Sequence, residues 1–378
     1  MKAVSKTSVL VLLLSFFMAR PDLFAASPSL AGAKKEAEAK GLIFETSHQE
    51  IVNKAKEAGK IRVLSSLEAN VYPHMISSFK KKYPFIEVAV AETTGTDTAQ
   101  RFILELKAGR ASEFDLVQLS YDFYPEYLPY LKKFDILGMA ENGVIGIPPK
   151  MVDPNNRGIV ALGTGLFVVP YNKTLISAEK VPTRWEDFLK PEFKGKKFFV
   201  DIRPFPYAAF ASCPEEGLGV EWMVNYAKKI REQEPIWTRG FSRTLTAIDA
   251  GEAALDSVNY YHTTMRVKKG SPKDNLEVRF IEPVPAELIE PEMVLGTSRN
   301  PYAALLFLEH EASPEGQKII DDYEPLKASI YSPVSTAARL VAGKRVCFNG
   351  FKTFQNTGKW MQMAVEAFGF PRAQERKP

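Results

Sequence analysis

The stretch SVNYYHTT, Ser257 to Thr264, sets Asn259, Tyr260 and Tyr261 beside His262 where a short strand runs out. Comparable groups close the other β-branched runs. Ser65, Ser66 and Glu68 follow KIRVL; Thr93, Thr94 and Thr96 follow IEVAVAE; Ser120, Tyr121 and Asp122 follow FDLVQL. Thr164 lies in TGLFVVPYNK, and Asp201 and Arg203 follow GKKFFV. In parallel α/β sheets ligands sit beyond the carboxyl ends of strands, so these positions are the candidate binding residues. The set is rich in hydroxyls and poor in any nucleophile with a base near it.

Such a set suits the capture of a polar or anionic solute. Hydroxyls at helix N-termini, backed by free N–H groups and the helix dipole, make an anion site without metal. Ser66 and Thr94 precede helices, and Ser242 and Thr244 open another. Each also serves as an ordinary N-cap, worth about 1 kcal/mol and needing no ligand. Arg203 stands where a guanidinium would grip a carboxylate or phosphonate in two bonds, or pair with Asp201. Arg239 and Arg243 are weaker candidates of the same kind. Adjacent strand residues face opposite sides, so Tyr260 and Tyr261 read as one ring in a core and one on a cleft. His262 reads as a hydrogen-bonded residue beside them, and His74 as structural.

Catalysis lacks a signature. The sequence has no Gly-x-Ser-x-Gly, no His-Glu-x-x-His and no phosphate-loop pattern, GTGL at 163–166 being too short, and its four histidines limit general-base chemistry. A secreted enzyme is therefore the disfavoured reading, and no cofactor is called for. A sensory subunit of the same architecture is not separable from a receptor by sequence.

The elements that position these residues follow from periodicity. The order strand, helix, strand, helix, strand over residues 61–120 argues for a parallel sheet with crossover helices. Ser47 and Glu50 have capping-box spacing for a helix ending at Gly59. Val71, Met75, Ile76 and Phe79 form a helical stripe stopped by Pro84. A second α/β block starts near TGLFVVPYNK and holds the helices GVEWMVNYAKKIREQ and TLTAIDAG. RNPYAALLFLEHEASPEGQKIIDDY reads as a helical pair, and GKWMQMAVEAFGFP as an amphipathic C-terminal helix.

The chain has 378 residues, 45% hydrophobic, with 49 basic and 45 acidic side chains, enough for two domain-sized cores and without the basic stripe that nucleic acid requires. Lys2 and Lys6 precede the apolar run Val9–Ala19, and small residues follow, which is the layout of a secretory signal peptide over 1–26, with cleavage after Ala26 or Ala33. An uncleaved anchor is the alternative, because Arg20 and Asp22 interrupt the pattern. Cys213 and Cys347 fall in different regions and read as two separate thiols.

Four ordered pieces carry a family resemblance. They are KIRVLSSLEANVYPHMISSFKKKYPFIEVAV, PYNKTLISAEKVPTRWEDFLKPEFKGKKFFVD, TLTAIDAGEAALDSVNYY and NPYAALLFLEHEASPEGQKII, spanning about residues 61–335. The chain resembles the periplasmic solute-binding proteins of bacterial ABC importers (extracellular solute-binding protein family 1), in the branch that includes ferric-ion-binding proteins. The resemblance implies an α/β fold of the type II two-lobe class, each lobe a mostly parallel sheet flanked by helices, with the ligand in a cleft between lobes. Lobe one would be 61–165 plus 275–378, and lobe two 166–274. It implies a monomeric periplasmic receptor that delivers a small molecule or ion to an ABC permease in the inner membrane. In ferric-binding relatives paired tyrosines supply phenolate oxygens, which here would be Tyr260 and Tyr261, with Fe(III) as cargo. The family's histidine in the first strand–helix loop and carboxylate at the third strand's end are replaced here by Ser65-Ser66-Leu67-Glu68 and Ser120, with Glu68 and Asp122 as substitute oxygen ligands. A polar or anionic organic solute therefore stands ahead of iron.

Overall fold

A computed structural model describes residues 28–93, 95–110, 113–119, 123–324 and 326–369. The signal segment, Thr94, Ser120, Tyr121 and Asp122 lie outside the described residues.

The strands are β1 (Lys60–Ser65), β2 (Glu87–Glu92), β3 (Leu116–Gln118), β4 (Ile159–Asn172), β5 (Phe198–Asp201), β6 (Ile236–Thr238), β7 (Leu255–Asp256), β8 (Asn259–Tyr260), β9 (Leu276–Arg279), β10 (Val284–Val294) and β11 (Val346–Asn349). They join in the order β2-β1-β3-β10-β4-β7-β5-β6, with β11 beside β10 and both β8 and β9 beside β4. β1, β2 and β3 are parallel, as are β5, β6 and β7. Each antiparallel pairing between these strands contains β4 or β10.

Those two strands are the frame. Every residue of both is buried, as their near-continuous apolar runs require. The first half of β4 pairs with β10, from Ile159↔Met293 to Leu166↔Ala286, and its second half pairs with β8 and β9. One strand thus serves two cores. Val160 and Leu162 pack with Ile61, Phe79, Phe134 and Phe307; Phe167, Val169 and Tyr171 pack with Trp185, Phe198, Phe210 and Ile230.

Most helices stand where periodicity places them. Ser47 caps the His48–Ala55 helix by accepting from the Glu50 N–H, and Gly59 follows with φ +65°. The Tyr72–Lys82 helix buries Met75 and Phe79. The helical pair is Pro301–Ala312 and Pro314–Tyr323. The C-terminal helix Phe354–Phe368 buries Ala364, Ala367 and Phe368 in the core of Trp185 and Phe210. Among the described residues no helix is long and apolar enough to cross a membrane.

Two expectations are corrected. The tyrosine pair does not close a strand together: β8 ends at Tyr260, and Tyr261 is the first residue of the Tyr261–Gly270 helix. Cys213 and Cys347 are bonded, with Cα atoms 5.4 Å apart. β11 lies parallel to β10 with Cys347 opposite Pro285, and the helix ending at Ala211 packs on both strands, which brings together residues 134 positions apart.

Closing so long a loop constrains the unfolded chain, so reduction, or Cys213→Ser, is expected to lower unfolding free energy by about 3–5 kcal/mol. Denaturant titration with and without reductant checks this; identical midpoints would contradict it.

Candidate functional site

The ends of β1 and β8 meet the middle of β10. Ser66 donates its hydroxyl to Glu290 (2.7 Å), and its N–H to the Gln118 side chain. Its hydroxyl is therefore not an N-cap: the Tyr72–Lys82 helix that follows has Val71 at its N-cap and no side-chain capping bond. Ser65 is fully buried and leans on Glu292 at 3.5 Å. The Glu68 N–H donates to Glu324, and its carboxylate pairs with Arg266 of the Tyr261–Gly270 helix. Arg266 also reaches Ser242 Oγ at 3.4 Å.

Lys327 organises the centre. Its ammonium lies 2.7 Å from Glu290 and also pairs with Glu324. Burial works against this charge, and the two carboxylates outweigh burial and hold Lys327 well above its usual range. Glu290 has φ +54° and precedes Pro291, a left-handed backbone that costs a non-glycine residue about 1–3 kcal/mol. Strain of this kind is kept where neighbours over-determine it, and here Ser66 and Lys327 hold the carboxylate.

Tyr260 donates its phenol to Glu287 of β10. Its ring stacks on Phe167 (4.4 Å) and His262 (4.8 Å) and meets the edge of Phe241 (5.0 Å). Gly165 makes this possible, because a Cβ there would stand 2.6 Å from Tyr260 Cε1. Gly163 admits the Lys327 carbonyl in the same way, at 2.8 Å from an added Cβ. The GTGL motif thus serves close approach inside β4. Tyr261 leaves in another direction, half-buried against Phe280 (5.4 Å), and burial raises its phenol pKa. His262 keeps a buried, unpartnered Nδ1; burial, then the cations Lys327 and Arg266, hold its pKa well below the usual value, so the imidazole is neutral.

Other candidates are placed more structurally. Arg203 is bound in two bonds to Asp201 (3.1 and 2.9 Å) and lies over the Phe241 ring. Asp201 also accepts from the Gly240 N–H. Asn259 is buried and bridges Asp256 (2.9 Å) and the Phe241 carbonyl. Thr164 accepts from the Ile330 N–H, Thr244 bonds back to Gly240, and His74 stacks on Tyr323. Among the described residues no three His, Cys, Asp or Glu side chains are gathered to hold a metal.

The structure therefore brings Ser65, Ser66, Glu68, Ser242 and Tyr260 to one region and sets Tyr261 apart from Tyr260. The reading by strand ends missed Glu287, Glu290, Lys327 and Arg266. Three carboxylates within the apolar run of 284–294 were a legible signal; Lys327 and Arg266 carried none.

Comparison with known proteins fits this architecture. Residues 136–346, more than half of the chain, match the model of the bacterial extracellular solute-binding proteins, and the chain belongs to that family. It is similar in structure to a Trichodesmium protein (IdiA, FutA) solved with iron and citrate: 19% identity, 82% of this chain and 99% of that one, TM-score 0.63. The ferric binding protein from Campylobacter jejuni is similar at 21% identity, 81% and 99% coverage and TM-score 0.62. So is a putative extracellular solute-binding protein from Bordetella parapertussis, at 14%, 82%, 99% and 0.64. The fold is that of the two-lobe periplasmic binding proteins. No curated protein matches by sequence.

Two outcomes are expected. Gly165→Ala drives the Tyr260 ring from Glu287 and costs about 1–3 kcal/mol, read by denaturation and near-ultraviolet dichroism; an unchanged protein would refute this seat for the ring. The second concerns pH. Burial raises the Asp256 carboxyl to about 8, and burial, with Glu290 nearby, raises Glu292, which faces the buried Glu311. These acids hold protons more tightly folded than unfolded. Their stabilisation is full below about pH 4 and is lost as pH rises through the folded-state value. Melting temperature should fall from pH 5 to pH 8, and Asp256→Asn should flatten the slope; a rise over that range would contradict the assignment.

Proposed function

We propose that this chain is the substrate-binding component of an ABC transporter that captures a polar or anionic organic solute in an interlobe cleft. Lobe one would comprise about 61–165 plus 275–378 and lobe two 166–274, hinged where β4 and β10 cross. The observation that carries this reading is the convergence of polar side chains from both sides of that crossing. Ser66, Glu68 and Lys327 come from one side, and Tyr260, Ser242 and Arg266 from the other. A solute touching both sets favours the closed form by the contacts it makes only there.

We read it as a receptor, a reading supported by its family of extracellular solute-binding proteins. It would work as a periplasmic monomer that docks, when closed, on a permease of the inner membrane; the family's role in extracellular binding supports the location. A second reading has one observation in its favour. The phenol of Tyr260 against Glu287, with Glu290 nearby on the same strand, offers hard anionic oxygen to a cation such as Fe(III) carried as cargo. The position of Tyr261 against Phe280 does not support ligation by both phenols.

A thermal-shift screen with carboxylates, phosphonates, polyamines and ferric citrate is expected to yield a ligand that raises the melting temperature with the logarithm of its concentration. Tyr260→Phe should weaken that ligand and Tyr261→Phe should not. Equal affinity in both variants would remove Tyr260 from the site, and a visible charge-transfer band with iron would reverse the order of the two readings.

A further inference from the structure

The pair Glu68–Arg266 joins the two proposed lobes, Glu68 standing in lobe one and Arg266 in lobe two. Arg266 rides on the Tyr261–Gly270 helix, whose Val267 packs with Phe199 and Leu245. Glu68 follows β1, and its neighbour Leu67 packs with Ile61 and Phe79. Both side chains keep about half their surface in water, 51% for Arg266 and 40% for Glu68. The remaining carboxylates of the centre are committed elsewhere: Glu290 and Glu324 to Lys327, and Glu287 to Tyr260. Glu68 is the acid whose displacement uncovers a guanidinium without stripping a buried cation of its partners.

Resting on the receptor reading above, we infer that Arg266 is the specificity-determining cation of the cleft, taking a carboxylate or other oxyanion of the solute, and that Glu68 occupies it in the empty protein as an internal surrogate. The chemistry fits. A guanidinium presents donors in a fixed fork suited to a planar oxyanion, and Ser242 Oγ at 3.4 Å adds a hydroxyl on the same side. The exchange of one carboxylate for another conserves charge, so the solute need only offer better geometry than a weak, exposed ion pair. Glu68 also anchors its loop through its N–H to Glu324. Displacing the side chain therefore leaves the backbone of lobe one in place, and the solute inherits the bridge between lobes.

The test has a ligand-free arm and a ligand arm. In small-angle scattering of the ligand-free protein, Glu68→Gln and Arg266→Ala are each expected to raise the radius of gyration. The charge-swapped double variant, Glu68→Arg with Arg266→Glu, should return it toward the wild-type value. In thermal-shift titrations with succinate, Glu68→Gln should bind several-fold more tightly than wild type, and Arg266→Ala about tenfold more weakly. Identical scattering in wild type and both single variants overturns the clasp. Equal succinate responses in the three proteins, whether large or absent, overturn the oxyanion assignment. A different compound that stabilises wild type and Arg266→Ala alike would remove this inference while leaving the receptor reading in place.

Discussion

Two long strands lie side by side with every residue out of water, and one of them carries three glutamates. A carboxylate buried without a partner is costly enough that the surrounding fold must supply one or keep the acid protonated. β10 meets this demand three ways. Glu287 accepts from Tyr260, Glu290 is held by Ser66 and Lys327, and Glu292 faces Glu311 with its carboxyl pKa raised by burial. Each solution recruits a residue from outside the strand. The polar centre of the molecule is the consequence of satisfying one strand.

The same demand gives the fold its two-sided character. Among the described strands β4 is the one that lends residues to both cores, with β10 paired along its first half, and the partners of β10's glutamates come from both sides. Relative movement of the two halves would rearrange these contacts first. The left-handed backbone at Glu290, just before a proline, sits in the middle of that crossing. A residue already held away from its preferred conformation is a natural place for a change in lobe orientation to be absorbed.

Much of the fold was legible because its signals are local. The periodicity of the Tyr72–Lys82 helix, the Ser47 cap and the strand–helix alternation of the first third each depend on a few neighbouring residues. The site was legible only where it coincides with strand ends. Ser66, Glu68 and Tyr260 stand at or just after strand ends, whereas Lys327 and Arg266 reach the centre from a loop and a helix with no motif to mark them. The hydroxyl of Ser66 shows the limit of local reasoning, since a position suited to capping is used for a carboxylate 224 residues away. The bonded cysteines show it again: their proximity follows from β11 lying on β10 next to the Phe205–Ala211 helix, which no spacing rule reports.

The central claim is that polar groups from two halves act together on one guest. Amide hydrogen exchange with and without a bound solute tests it most directly. Simultaneous added protection in the segments 65–71, 241–245, 260–267 and 326–330 is the predicted result. Protection confined to segments from one side of the β4–β10 crossing, with the other side exchanging as in the empty protein, would contradict it.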